Sequence, residues 1–157
     1  MRVLSIFILV LPFFQIQAQQ MDNQQLEKII FVMSDTMRGQ NGQWEFVVNE
    51  VPMLCFTDQT HNRMRIISPI KEAKDVSYEE REKSLEANFH SALDVRYALA
   101  EGYMWSAFIH PLRELNKDQV IDAIKQVYAA AVTYGTIYTS TDLNFPKTEK
   151  EKDIRDN

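Results

Sequence analysis

A single cysteine, Cys55, stands in a chain of 157 residues, so no internal disulfide can hold the fold together. Glycine is almost as scarce. The four glycines, Gly39, Gly42, Gly102 and Gly135, fall at turn or helix-end positions, and none builds a loop that cradles a phosphate. No G-x-S-x-G elbow is present to raise a nucleophilic serine. Three histidines, His61, His90 and His110, lie far apart and none forms an HExxH pair. A zinc site needs three or four ligands with at least one close pair, so they read as unrelated surface or rim residues. No metal and no cofactor is expected. A net charge of -5 leaves no basic footprint, which argues against nucleic acid as a partner.

What is present begins with an apolar run. Met1-Arg2 supplies a positive start, Val3 to Phe14 is almost unbroken hydrocarbon, and Ala18 is a small residue before polar Gln19-Gln20. That pattern reads as a secretory signal peptide over residues 1–18. It is too short for a membrane span, which takes about 20 apolar residues, and it contains Pro12. No cysteine follows it to take a lipid, so a soluble periplasmic or secreted protein is expected. Roughly 140 residues remain, enough for one domain that buries about two thirds of its unfolded surface. The expected domain covers residues 19–145. Residues 146–157, nearly all charge of both signs, read as a disordered tail.

Within the domain, Asp22 or Asn23 caps a first helix with Leu26, Ile29, Ile30, Met33 and Met37 at three- and four-residue steps. Gly39 and Gly42 are expected to end it. Three strands follow: one around Trp44, Phe46 and Val48, one at Val51 to Thr57, and one at Arg63 to Ile70. Asn49-Glu50 turns the first into the second. Arg63 and Arg65 read as edge charges that deter strand pairing. Ser77 with Glu80 forms a capping box for a second helix, whose apolar stripe is Leu85, Phe89, Ala92 and Leu93. Glu79, Glu80 and Glu82 then sit where a helix start attracts carboxylates, without a catalytic reason. A hairpin, Val95 to Ala100 and Tyr103 to His110, turns at Glu101-Gly102. A last helix is capped by Asn116 with Gln119 and stopped by Gly135. Asp142-x-Asn144 lacks the glycine and glutamate of a calcium loop. The order α-β-β-β-α-β-β-α is an α+β fold, helices packed on an antiparallel sheet.

Hairpin register assigns the faces. Pairing Val48 with Val51 groups Trp44, Phe46, Met53 and Cys55, and pairing Ala100 with Tyr103 adds Val95, Leu99, Met104 and Phe108 as helix-covered core. The opposite face then carries Leu54, Phe56, Tyr103, Trp105 and Ile109. A sheet covered on one side should be polar on the other. An apolar second face marks a partner site or a homodimer interface, with Trp105 and Tyr103 as anchors.

The element order, the Trp44-Glu45-Phe46 strand opening and the passage from Tyr103 to Gln119 through LREL-NKDQVIDAIKQV resemble the YbjN-like family. Those are small bacterial proteins described as sensory-transduction regulators, sharing the fold of type III secretion chaperones. The resemblance spans about Asp22 to Gly135 and implies a dimeric, non-enzymatic, protein-binding module. The expectation is an exported module that binds a protein or peptide through its apolar sheet face. The alternatives are a carrier of a small hydrophobic ligand or a periplasmic enzyme with no recognisable motif.

Overall fold

Asp22 Oδ1 accepts the Gln25 N–H at 2.8 Å, satisfying one of the free donors that open a helix, and α1 runs Asn23–Met33. Leu26, Ile29 and Ile30 form its buried face. The structure, a computed structural model, describes residues 20–141. The expected signal peptide and charged tail lie outside the described residues.

The first helix is shorter than its periodicity predicts. Ser34 is extended, and Thr36–Gln40 form β1 instead of a last helical turn. A two-residue turn, Asn41-Gly42 with φ of 56° and 87°, joins it to β2 at Gln43–Val48. Asn-Gly is the strongest short hairpin signal, because both residues must adopt positive φ. Met37 has helical spacing from α1, yet it pairs with Phe46 in the sheet. Gly39 is required by close approach: a Cβ there would lie 2.2 Å from the Gln43 carbonyl oxygen, at φ +108°.

Asn49-Glu50, both at positive φ, turns β2 into β3 at Val51–Asp58. Pro52 is tolerated because the β3 ladder to β4 starts only at Leu54, so its missing N–H has no partner to disappoint. The chain continues through β4 (Arg63–Glu72), a 3₁₀ turn (Ala73–Asp75), α2 (Tyr78–His90), β5 (Val95–Ala100), β6 (Tyr103–His110) and α3 (Lys117–Thr133). The capping boxes at Ser77/Glu80 and Asn116/Gln119 are both formed, and Gly135 follows the α3 cap at φ +79°. The six strands form one antiparallel sheet in the order β1-β2-β3-β4-β6-β5. The α+β class stands, with one strand more than expected.

One face of the sheet is the core. Trp44, Cys55, Ile66, Phe108 and Val95 lie side by side in register across five strands, all buried. α3 crosses this face, and α1 packs beside it over β1 and β2. Ser106 Oγ donates to the Val127 carbonyl at 3.0 Å and Tyr97 Oη to the Ala130 carbonyl at 2.9 Å, so these two hydroxyls under α3 are satisfied. Cys55 is fully buried and burial pushes its thiol pKa up, so it acts as a small hydrophobe.

Three expectations need correction. α2 turns Ser84 and Ala87 inward, leaving Leu85 and Phe89 exposed, Phe89 at 82%. The helix packs beside edge strand β5, where small residues allow close approach. Leu99, on the covered face by register, is 43% exposed near the end of that strand. Arg63 and Arg65 are not edge charges, because β4 is paired on both sides. The outer edge of β5 is closed in part by Asn88 of α2. Its Oδ1 accepts the Tyr97 N–H at 2.7 Å and its Nδ2 donates to the Tyr97 carbonyl at 3.1 Å.

Candidate protein-binding face

The second sheet face has no helix on it among the described residues. Alternation places Gln43, Phe56, Arg65 and Ile109 in one cross-strand row there. The next row is Glu45, Leu54, Ile67, Ala107 and Arg96, and beyond it Trp105 lies between Pro69 and Ala98. Tyr103 is paired with Glu72 and Ala100. Leu54, Phe56, Tyr103, Trp105 and Ile109 therefore share this face. Phe56 is 39% exposed, Tyr103 40% and Ile109 57%, while Leu54 and Trp105 are half-buried.

The two aromatics of β6 are held in place. The Trp105 indole N–H donates to the Ala100 carbonyl at 2.8 Å, and its ring meets Tyr103 edge-on at 5.9 Å between centroids. That bond fixes an otherwise mobile apolar plate against the β5–β6 turn, so little side-chain freedom is left to lose on binding. Ile67 belongs to the face as well and was missed in the sequence. Strict alternation along β4, with Met64, Ile66 and Ser68 inward, suffices to find it. A groove of about 470 Å³ between β1, β2 and β3 continues the surface, with Val47, Pro52, Leu54 and Pro69 among its lining.

The charges around this patch fall into two groups. Every carboxylate on the face has a partner: Glu45 takes Arg38 Nε at 2.7 Å, Glu72 takes Lys74 at 2.5 Å, and Asp58 takes the His61 ring at 2.6 Å. Hydrogen bonds from the His61 backbone and ring hold the Asp58 carboxyl below its ordinary pKa. Arg63, Arg65 and Arg96 form no ion pair among the described residues. Arg63 donates to the Asn62 carbonyl, and Arg96 donates to the carbonyls of Leu93 and Val95.

Elsewhere the polar groups are structural. Asn62 binds the Glu114 carboxylate at 2.9 Å and 3.0 Å and accepts the Arg113 N–H, tying the β3–β4 loop to the segment before α3. No group of three or more His, Cys, Asp or Glu residues able to hold a metal occurs among the described residues. His61, His90 and His110 stay in a loop, on α2 and at the end of β6. A second groove, about 360 Å³, runs between α1 and α3 past Ile29, Val32, Met33 and Ile121. No described helix is long and apolar enough to cross a membrane.

This arrangement, six antiparallel strands with helices on one face, is similar to that of chains in several solved protein complexes. A chain of the HopA1–SchA chaperone–effector complex aligns with TM-score 0.55 at 11% identity, over 71% of this chain and 94% of that one. A chain of the ExsC–ExsE complex aligns with TM-score 0.55 at 11% identity, over 69% and 86%. The structure of the Yersinia pestis type III secretion chaperone SycH with a stable fragment of YscM2 gives 0.50 at 13% identity, over 72% and 98%. At these identities the likeness shows the fold, which is that of type III secretion chaperones. No protein-family profile matches the chain. No curated protein matches it in sequence.

Proposed function

We propose that this protein is an exported, non-enzymatic, chaperone-like module that holds another polypeptide on its open sheet face. The observation that carries the reading is the exposed apolar row on that face, Phe56 and Ile109 above all. Left open to water, such residues add little to the sheet's own stability beyond cross-strand contacts, whereas a partner that covers them removes the rest of their apolar surface from water. Two of the similar solved structures are described as a chaperone with a bound protein or protein fragment, which supports a protein partner here. The YbjN-like membership implied by the strand-to-helix passage belongs to the same proposal, as does a periplasmic or secreted location.

The protein is further read as a homodimer. Tyr78, Leu85 and Phe89 recur on the outward side of α2 and are all exposed, which gives self-association a surface separate from the open sheet face. Light scattering on the protein and on Phe89→Glu tests this: a dimer that becomes a monomer is the expected result, and a monomeric starting protein refutes it.

Capture from the native cell envelope tests the binding reading. Wild-type protein should retain a specific polypeptide that Ile109→Glu and Trp105→Ala release, with the thermal melting of Ile109→Glu unchanged. Identical retention by wild type and Ile109→Glu would remove the sheet face from consideration.

A further inference from the structure

We infer that the segment held on the open face is an acidic one, an extended or helical peptide whose apolar side chains alternate with aspartate or glutamate. The inference rests on the sheet-face reading above and adds the chemistry of the partner. The chain as a whole is acidic, at -5. Its open face is not. The described carboxylates there, Glu45, Asp58 and Glu72, each have a cation or imidazole beside them already. Among the described residues, the guanidiniums of Arg63, Arg65 and Arg96 have no carboxylate within ion-pair distance.

Their placement matters more than their number. Arg65 stands in register between Phe56 on β3 and Ile109 on β6, so its charge sits in the middle of the apolar row. Arg96 pairs with Ala107 across from β6, on the other side of that strand. Two guanidiniums therefore flank the small residue Ala107 and the exposed side chain of Ile109. Arg63 extends the line by two residues along β4, opposite Asp58. Arg96 commits one nitrogen to backbone carbonyls and keeps its other donors. Since β4 is paired on both sides, deterring strand addition does not explain Arg63 and Arg65.

A partner that covers Phe56, Ile67 and Ile109 also removes water from the Arg65 guanidinium between them. A covered cation without a counter-charge is costly, so an apolar or basic partner would be disfavoured and an acidic one selected. Guanidinium is the cation suited to this, because it is weakly hydrated and takes a carboxylate through two parallel N–H groups. A nucleic acid is the less fitting anion. The net negative chain would repel a long polyanion.

The test uses an array of short synthetic peptides matched in hydropathy and sorted into acidic, neutral and basic sets, with single-stranded oligo-dT alongside. Wild-type protein should bind the acidic set about tenfold more tightly than the neutral set, with the preference shrinking at high salt. Arg65→Gln combined with Arg96→Gln should erase that preference and leave neutral peptides bound as before. Arg65→Lys should keep most of it, and Ile109→Glu should lose binding to all three sets. A preference for neutral or basic peptides, still abolished by Ile109→Glu, overturns the acidic partner while the sheet-face reading survives. Tighter binding of oligo-dT than of acidic peptides overturns it in favour of nucleic acid. Failure to bind any peptide, or a dimer that Ile109→Glu turns into a monomer, overturns both together.

Discussion

Phe108 and Ile109 are neighbours on β6, yet Phe108 is 5% exposed and Ile109 is 57% exposed. Each stands for one face of the same sheet. Phe108 lies in the row from Trp44 to Val95 under the helices, and Ile109 lies in the row with Phe56 and Arg65 that no described helix covers. Both faces carry large apolar side chains, fewer on the open face, and they differ in what surrounds them. On the covered face Ser106 and Tyr97 donate to carbonyls of the helix above them. On the open face three guanidiniums pair with no carboxylate of the described residues. Helices cover one face, and no described helix covers the other.

The sharpest break of this contrast is to truncate both neighbours. Phe108→Ala should destabilise the protein by about 3–5 kcal/mol through lost burial and a residual cavity, seen as a large drop in denaturant midpoint. A cost under about 1 kcal/mol would mean that the covered face is not a packed core. Gly39→Ala comes next, since β1 contributes to both faces at once. The added methyl meets the Gln43 carbonyl at positive φ, so a loss of about 2 kcal/mol is expected, with hydrogen exchange rising first in β1.

The Lys71–Glu80 pair, at 2.9 Å, joins the covered side of β4 to α2 and gives the contrast a pH dependence. The Lys71 ammonium and the Ser77 N–H hold the Glu80 carboxyl below its ordinary pKa. Its contribution to stability is therefore complete above the unfolded glutamate pKa and is lost as pH falls through the lowered folded value. Melting curves across that acid range should show less acid-induced loss in Glu80→Gln than in wild type. Equal slopes would show the pair to be inert. At pH 7 the loss of the capping box in Ser77→Ala should cost about 1 kcal/mol.

The smallest effect on stability is the most informative about the open face. Ile109→Glu should change folding stability by no more than about 0.5 kcal/mol, because its side chain stands in solvent. Circular dichroism melting checks this directly. A loss comparable with that of Phe108→Ala would mean that Ile109 is part of a core after all.

The elements that were legible in the sequence are those governed by local chemistry. Ser77/Glu80 and Asn116/Gln119 announce helix starts because a side chain three residues away satisfies a free N–H, whatever the rest of the chain does. The turns at Asn49-Glu50 and Glu101-Gly102 set register, and register set the faces of β2, β3, β5 and β6. β1 was less legible because Met37 continues the helical spacing of α1, and five residues are too few for alternation to compete with it. The Asn41-Gly42 signal was present and outweighed. α2 misled for another reason. Its Leu85 and Phe89 form a stripe at helical spacing, but spacing says only that residues share a side, not that the side faces the core.

The sequence by itself determined the α+β class, the antiparallel pairing at the Asn49-Glu50 and Glu101-Gly102 hairpins, and which residues share a side within each of those hairpins. All of these follow from interactions between residues close in the chain. Only the tertiary structure decided that β4 lies between β3 and β6, that Arg65 is therefore embedded in an apolar row, and that α2 turns its large residues outward. Those outcomes depend on contacts between segments far apart in sequence, where the docking of each element on the shared core selects among faces that local patterning leaves equivalent.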